Sequence, residues 1–350
     1  MHFNPPVVDG EKLLNFGAAL QESAATHGEK PALIVGERTI SWAEFGAMVA
    51  QVTGQLVAQG VGQGDTVASL SENSVEHVVL YCAVVASGAC IVPLPFSATP
   101  DALALMMADS NADLLFVSST QADIGRGLPV KQSVDLDGLM AWAADAAPAK
   151  PAQVNPDDLF NIIYSSGTTG TPKRIIHDHR FRSRQLNRIT NFGLTGADRL
   201  VISTPIYSNT TLFGMLPTLS LGATLIVMPK FNAAGFLKLS ADLKPTHAVL
   251  VPVQLMRLMA EPTFNDYDLT SYRCKFSTSA PLPSTLIAQV MERWPGNLIE
   301  VYGMTEGGIS TALNCEAFPD KWDTVGRLGE GVDMRVIDDQ GKELPKGSFG

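Results

Sequence analysis

The sequence predicts an α/β fold in which helices cover a mostly parallel β-sheet. Short apolar runs alternate with longer segments that begin at helix-capping residues, the pattern that strand–helix–strand units produce. The 350 residues are 45% hydrophobic and 17% charged, which is typical of a globular protein with a sizeable core. A chain of this length forms one large domain or two ordinary ones.

The first predicted elements are a hairpin and a helix. Residues 32–35 and 38–40 are predicted to pair as antiparallel strands. Ser41 and Glu44 form a capping box, which predicts a helix that extends to about Gln59. The other elements predicted in this half are strands 66–70, 90–94 and 114–117 and two helices, one capped by Asn73 or Ser74 and one by Thr99.

Residues 143–157 are rich in Ala and Pro, which predicts an exposed linker. After it the alternation resumes, with strands 159–164, 174–176, 200–203, 223–228, 248–251, 275–277 and 298–301 and helices 178–191, 211–220, 233–242 and 284–293; residues 334–342 are predicted as a strand running into a turn. Residues 1–145 are predicted to form a first α/β subdomain and residues 146–157 a linker. Residues 158–320 are predicted to form a second α/β subdomain that carries the functional site, followed by a final segment at 321–350.

Charge and cysteine content exclude several classes of protein. The net charge is −10 and no Lys/Arg-rich run is present, which argues against a nucleic-acid partner and against docking on anionic lipid. The uncharged stretch 78–92 is too short to span a bilayer and contains Gly88. The cysteines lack CxxC spacing and indicate a reducing compartment, so we expect a cytoplasmic protein without a membrane span. They are Cys82, Cys90, Cys274 and Cys315.

Residues 164–173, YSSGTTGTPK, form a predicted anion-binding loop that we call the phosphate segment. Two glycines allow the backbone to approach a ligand, hydroxyls and N–H groups cradle it, and Lys173 adds positive charge. The spacing is not that of a P-loop, because only two residues separate Gly167 and Gly170 and Arg174 follows the lysine. A polar turn between strands is the alternative. The hydroxyl residues are Ser165, Ser166, Thr168, Thr169 and Thr171.

Residues 302–306, YGMTE, follow a predicted strand and form what we call the metal segment. Tyr302 can stack on a flat ring, and Thr305 offers a hydroxyl to phosphate. Glu306 is a hard oxygen ligand that suits Mg²⁺ bridging phosphate oxygens. A surface turn with one carboxylate is the alternative.

Together the two segments closely resemble the signatures of the adenylate-forming superfamily, which includes acyl-CoA synthetases, peptide-synthetase adenylation domains and luciferases. The resemblance covers about residues 10–350 and includes STSAPL at 277–282, the adenine segment, and DTVGRLGEG at 323–331. It implies the large N-terminal domain of such an enzyme, with two helix-covered, mostly parallel sheets in an α/β/α/β/α arrangement. Residues 321–350 would begin a small β-rich subdomain.

The resemblance also implies roles for individual residues. The catalytic residues would be Thr168, Lys173 and Glu306, with Glu306 holding Mg²⁺ and Tyr302 packing on adenine. In the adenine segment Thr278 and Ser279 replace the usual glycines, and a helix entry is an equally compatible role. The ATP-binding residues would be Ser165, Ser166, Gly167, Thr168, Thr169, Gly170, Thr171, Lys173, Ser279, Ala280, Pro281, Tyr302, Gly303, Met304 and Thr305.

Residues 198–214, the acyl segment, resemble the part of the superfamily that lines the acid-binding pocket. Tyr207 and Phe213 are predicted to wall an apolar acid, and Asn209 to bond a polar substituent; a core role for both rings is the alternative. The predicted pocket residues are Tyr207, Ser208, Asn209, Phe213, Val251 and Gly303.

Two basic patterns have less specific interpretations. His177 and His179 are interpreted as helix-entry or core residues and not as metal ligands, because no Cys or Glu cluster accompanies them. Four arginines are interpreted as a solvated helix face, with contact to coenzyme A phosphates as the alternative. They are Arg180, Arg182, Arg184 and Arg188.

The resemblance implies that ATP activates an aryl, alicyclic or fatty acid to an acyl-adenylate, which then passes to coenzyme A. A domain that loads a carrier protein and a nucleotide-binding module without turnover are the alternatives. A homodimer is left open. Neither a Thr-Gly-Asp motif nor a hinge nor the superfamily's C-terminal catalytic domain is found up to Gly350, so we expect residues 1–350 alone to be nearly inactive.

Overall fold

The computed structural model describes residues 13–165, 172–190, 192–329 and 332–349, and its strands form two separate sheets. The nine strands of the larger sheet are, in spatial order, β15 (Arg327–Leu328), β14 (Gly308–Asn314), β13 (Asn297–Met304), β12 (Cys274–Thr278), β11 (His247–Leu250), β9 (Arg199–Ile202), β10 (Thr224–Val227), β1 (Pro31–Val35) and β2 (Arg38–Ser41). The strands from β13 to β1 are parallel, and antiparallel strands complete both edges.

The smaller sheet is also parallel except at one edge. Its six strands are, in spatial order, β6 (Gln132–Asp135), β5 (Leu114–Val117), β3 (Thr66–Leu70), β4 (Cys90–Pro93), β7 (Leu159–Ser165) and β8 (Lys173–Asp178). Only β8 runs antiparallel to its neighbour.

The helices cover both sheets. They are α1 (Phe16–His27), α2 (Trp42–Ala58), α3 (Val75–Ala86), α4 (Pro100–Ser110), α5 (Ala122–Gly125), α6 (Leu139–Trp142), α7 (His179–Thr190), α8 (Asn209–Ser220), α9 (Ala233–Leu243), α10 (Pro252–Met259) and α11 (Ser284–Arg293). Within the described residues, no helix combines the length and apolarity that crossing a bilayer requires.

Three apolar clusters define the layers. The central cluster joins helices α1, α2, α3 and α8 to both sheets, with Leu33 and Phe276 from the larger sheet and Ile91 and Phe160 from the smaller one. Helices α9, α10 and α11 cover the outer face of the larger sheet, and α4 covers that of the smaller sheet. These five layers confirm the predicted α/β/α/β/α architecture.

Local capping explains several element boundaries. The Ser41 hydroxyl accepts a hydrogen bond from the Glu44 N–H at 3.2 Å, which confirms the predicted start of α2. Ser74, and not Asn73, caps α3 by accepting from His77 N at 3.0 Å. The Asn73 amide instead donates to Thr204 O at 2.9 Å and so links the two halves of the chain.

Two predictions about the organisation of the chain need comment. At 334–342 the predicted strand was wrong, since only an isolated antiparallel bridge between Ile337 and Glu343 forms there, but the predicted turn forms, with Gly341 N donating to Asp338 O at 2.9 Å. The two sheets also interleave across the predicted boundary at 145–158, since β1 and β2 join the larger sheet and β7 and β8 the smaller one. The backbone of residues 143–157 forms hydrogen bonds to the central helices. Ala149 N, for example, donates to Ala50 O of α2 at 2.9 Å.

Candidate functional site

The strands that flank the phosphate segment form an antiparallel pair. Ser165 at the end of β7 lies opposite Lys173 at the start of β8. The Tyr164 hydroxyl donates to Asp109 Oδ2 at 2.5 Å, which attaches this end of β7 to α4. Burial and the Asp109 carboxylate raise the pKa of Tyr164, so this hydroxyl stays a donor. The candidate residues Ser166, Gly167, Thr168, Thr169, Gly170 and Thr171 lie outside the described residues.

The metal segment lies at the end of a second antiparallel pair, β13 and β14. Met304 pairs with Gly308, and residues 305–307 form the turn between them. The Tyr302 ring is 50% exposed, and the Glu306 side chain is exposed as well. A planar ring and a carboxylate on the surface of one hairpin are accessible to a nucleotide and a cation.

A buried contact joins the two hairpins. The His177 side chain on β8 donates from Nε2 to the Thr305 carbonyl in the β13–β14 turn, at 2.6 Å. The prediction that Thr168 and Glu306 face one cleft involves a residue outside the described ones and stays a prediction. The hydrogen bond links β8, which follows the phosphate segment, to the turn of the metal segment, although the two strand pairs belong to different sheets.

The adenine segment follows β12 and approaches the acyl segment. Ser279 has a backbone φ of 77°, in the left-handed region that favours glycine. Its hydroxyl lies 2.5 Å from the Thr210 hydroxyl at the start of α8. Ala280 and Pro281 are exposed, so their backbone groups are accessible to a base. The glycine-like conformation at Ser279 explains why glycines are usual in this segment.

The predicted pocket residues have different surroundings. Tyr207 is half-buried, packs edge-to-face on Phe96 with ring centroids 5.3 Å apart, and has its hydroxyl 3.2 Å from that of Ser97. Phe213 is 4% exposed and packs on Phe276, inside the core. Ser208 caps α8, Asn209 is its first residue, and Val251 precedes α10.

The arginine face was predicted incorrectly at one position. Arg180 and Arg184 are exposed, but Arg182 is only 1% exposed. The side chain of Arg188 lies outside the described ones. The sequence did contain a signal, since Arg182 is four residues before the buried Leu186 and so lies on the inward face of the helix.

Arg182 is the centre of a buried polar cluster that sequence analysis missed. We call Asn161, His177, Arg182, Gln185 and Asn209 the Arg182 cluster. The guanidinium donates to Asn161 Oδ1 at 2.7 Å, to Asn209 Oδ1 at 2.9 Å, to His177 Nδ1 at 3.0 Å and to Gln185 Oε1. Burial lowers the pKa of Arg182 to about 10, so the group remains cationic at neutral pH.

Both histidines of the HDH string are buried, as the sequence interpretation expected. Burial and the Arg182 charge lower the pKa of His177 to about 3, so the ring is neutral. His179 packs edge-to-face on Phe160, burial lowers its pKa, and its ring nitrogens have no partner within the described part of the chain. No group of three or more candidate metal ligands occurs in the described residues.

The geometry at Glu306 fits a cation held jointly with a ligand. Mg²⁺ is commonly bound in nucleotide sites by one or two carboxylates, with phosphate oxygens and water completing the octahedron. Glu306 supplies one exposed carboxylate at the turn, and no hydrogen bond or ion pair engages it within the described residues. Glu306 is therefore available to a divalent cation that a bound ligand also coordinates.

A cavity of about 940 Å³ lies away from these residues. It opens at the amino ends of β11, β12 and β13, where His247, Cys274 and Asn297 line it. Ligands of parallel sheets bind at the carboxyl ends of strands, where the metal and adenine segments lie. We therefore place the candidate site at the carboxyl ends and not in this cavity.

Comparison with known proteins gives consistent matches. The model of the family "AMP-binding enzyme" matches residues 20–350. An indoleacetate–CoA ligase of Aromatoleum aromaticum is 29% identical over 338 residues, which are 92% of this chain and 66% of that protein. The fatty acid–acyl-carrier-protein ligase ScoC of Streptomyces coeruleorubidus is 27% identical, over 91% of this chain and 64% of that protein.

A solved structure agrees with these sequence matches. ATP-bound MatB from Rhodopseudomonas palustris is 30% identical and superimposes with a TM-score of 0.82, over 95% of this chain and 68% of that one. The chain spans about two thirds of the length of the curated relatives it matches.

Proposed function

Because the chain belongs to the AMP-binding enzyme family, we propose that its protein activates a carboxylic acid with ATP and transfers the acyl group to coenzyme A. A carboxylate oxygen attacks the α-phosphorus of ATP, the bond to the bridging oxygen breaks, and pyrophosphate leaves. The thiol sulfur of coenzyme A then attacks the acyl carbonyl, and AMP leaves. One observation supports the first step most directly: the His177–Thr305 hydrogen bond links β8, the strand that begins at Lys173, to the turn of the metal segment.

The chain's own residues have separable tasks in this proposal. Lys173 is an exposed cation beside the phosphate segment and would offset charge on the phosphates, together with Thr168 and Thr169. Glu306 would hold Mg²⁺, which neutralises phosphate charge when bound. Tyr302 would stack on adenine, and Ser279 and Ala280 would face the base. Tyr207 and Asn209 would contact the acid.

The test is ATP–pyrophosphate exchange by the protein expressed from its complete reading frame, across a panel of aryl, alicyclic and fatty acids. We expect exchange that depends on one class of acid and on Mg²⁺. Replacing Glu306→Gln should lower exchange by about 100-fold, the usual effect of removing one charge-stabilising group. Glu316→Gln changes an exposed carboxylate at the far end of β14 and serves as the control. No exchange with any acid would refute the proposal.

A carrier protein is the second candidate for the acceptor, because one relative is named as an acyl-carrier-protein ligase. The acceptors are separated by comparing kcat/KM for free coenzyme A with that for a phosphopantetheinylated carrier protein. A preference for the carrier would replace coenzyme A in the proposal and leave acid activation intact. The cytoplasm remains the expected compartment, since all four cysteine thiols are buried and unpaired.

We also propose that residues 1–350 alone bind ATP weakly and form almost no adenylate. Calorimetry and pyrophosphate exchange, side by side with the protein from the complete reading frame, test this. Equal exchange rates would show that residues 1–350 suffice for the chemistry.

A further inference from the structure

The Arg182 cluster connects strands and helices that carry different parts of the candidate site. Asn161 lies on β7 and His177 on β8, the two strands that flank the phosphate segment. Asn209 is the first residue of α8, in the acyl segment. Burying a guanidinium among neutral acceptors costs free energy, because it loses hydration without gaining a carboxylate. If the only role of these side chains were structural, apolar side chains of similar size would stabilise the core equally well.

The cluster determines which nitrogen of His177 carries the proton. A guanidinium can only donate, so His177 Nδ1, 3.0 Å from Arg182 Nη2, must accept. The proton of the neutral ring is therefore on Nε2, which donates to Thr305 O at 2.6 Å. Arg182 thus holds His177 in the tautomer that the contact with Thr305 requires.

The contact with Thr305 supports a turn that is otherwise exposed. The register of the β13–β14 ladder shifts between Tyr302 and Gly303, just before the turn. The Phe181 ring stacks on His177 with centroids 4.2 Å apart, and Phe181 ring atoms would lie 3.4 Å from a Cβ at Gly308. His177 therefore contacts the first residue of the turn, Thr305, and Phe181 lies against Gly308, just after the turn.

We propose that His177 is a positioning residue, which holds the turn 305–307 and with it the Glu306 carboxylate in the orientation that binds Mg²⁺, and that Arg182 sets its tautomer. This inference rests on the proposed function of Glu306. His177 touches neither the substrate nor the cation; it acts through the backbone of Thr305. The exit strand of the phosphate segment and the metal segment would then move as one unit.

The experiment compares His177→Leu with His177→Gln in the protein from the complete reading frame. Leucine cannot donate to Thr305, whereas the glutamine amide reaches about as far as Nε2 and can. We expect the leucine variant to need about tenfold more Mg²⁺ for half-maximal exchange, as is usual when an outer-shell partner is lost. Its KM for the acid should change less than twofold, and glutamine should restore the Mg²⁺ dependence. Calorimetric titration of ATP with and without Mg²⁺ gives the same comparison without turnover.

His77→Leu removes a different buried histidine, which bonds to Ser69 and Glu72, and controls for general destabilisation. It should lower stability and leave the Mg²⁺ requirement unchanged. If His177→Leu does not fold, His177→Asn takes its place, because its shorter amide falls short of Thr305. A normal Mg²⁺ dependence in the variant without the donor would overturn the inference. Absence of exchange in the unmodified protein would instead refute the proposed function.

Discussion

At the scale of single residues, Ser279 shows how a local conformation constrains the candidate site. Its φ of 77° costs an L-residue roughly 1 kcal/mol, which glycine avoids. The hydroxyl contact with Thr210 at 2.5 Å compensates for part of this cost. The strain therefore persists where the adenine segment meets the acyl segment.

The strain at Ser279 is testable with two variants that both lack the hydroxyl. We expect Ser279→Gly to be about 1 kcal/mol more stable than Ser279→Ala, because only alanine keeps the left-handed penalty. Urea denaturation gives both free energies of unfolding. If Ser279→Ala had a free energy of unfolding equal to or above that of Ser279→Gly, the backbone would have relaxed at this position.

Tyr207 permits a test of the acyl pocket. Its ring packs on Phe96, so the side chain joins the acyl segment to the loop after β4. We expect Tyr207→Ala to change the ranking of acids by kcat/KM while the ATP dissociation constant stays within about twofold. Tyr207→Phe keeps the ring and loses only the contact with Ser97, so it should keep the ranking. A uniform loss for every acid would indicate a core role.

At the scale of elements, a buried lysine ends helix α11. Lys275 on β12 is 0% exposed, and its ammonium donates to the carbonyls of Trp294 at 2.9 Å, Pro295 at 2.8 Å and Gly296 at 2.6 Å. Trp294 is the C-cap of α11 and is buried, so the bond to its carbonyl satisfies a group that lacks an intrahelical donor, while Pro295 and Gly296 follow the helix at the surface. One side chain thereby attaches α11 to the sheet.

We expect Lys275→Met to destabilise the protein by about 1–3 kcal/mol, because it leaves the buried Trp294 carbonyl without its donor. Lys238→Met, at an exposed lysine paired with Asp242 on α9, should cost less than about 0.5 kcal/mol. Chemical denaturation of both variants measures the difference. Similar small losses would mean that water replaces the ammonium.

At the scale of the whole molecule, the two sheets interleave sequence from both halves. Strand β1 pairs with β10 through Leu33 and Leu225, while β7 pairs with β4 through Asn161 and Ile91. Neither sheet can be completed by one half alone. We therefore expect the described residues to unfold as one cooperative unit. Protonation of any buried group in this unit then lowers the free energy of unfolding of the whole.

Four buried histidines make this unit sensitive to acid, and burial lowers the pKa of His179 as it does that of the other three. Burial lowers the pKa of His77 to about 4, of His177 to about 3 and of His247 to about 4. The unfolded chain titrates near 6.5, so below that pH it binds more protons than the folded chain. The contribution of these histidines to stability is therefore complete above about pH 6.5 and falls as the pH drops toward 4.

His77 gives the cleanest test, since it lies outside the candidate site. Replacing it by asparagine retains a donor for Glu72 O and removes one titrating group. The slope of unfolding free energy against pH should fall by up to about 1.4 kcal/mol per unit between pH 4 and 6. The offset between the two proteins at pH 7.5 gives the loss unrelated to titration. Parallel curves at all pH values would mean that His77 is already protonated when folded.

The sequence by itself determined many of the strands and helices, but not α1, α10 or β14, and it predicted the segments with phosphate and metal chemistry. Strand 114–117 and helix 284–293 have their predicted bounds, because apolar runs and capping residues act over a few neighbours. The family resemblance supplied the two-sheet architecture before any coordinates. The strand predicted at 334–342 failed, since pairing needs a partner strand that local pattern cannot supply.

Only the tertiary structure decided which elements meet. Pairing of β1 with β10 and the burial of Arg182 depend on contacts between residues far apart in the chain, and local patterns do not encode such contacts. The hydrogen bond from His177 to Thr305 spans 128 residues and joins β8 to the turn of the metal segment. The charge of an arginine favours exposure to solvent. Packing of the whole helix face nevertheless buries Arg182, where neutral side-chain oxygens accept its hydrogen bonds.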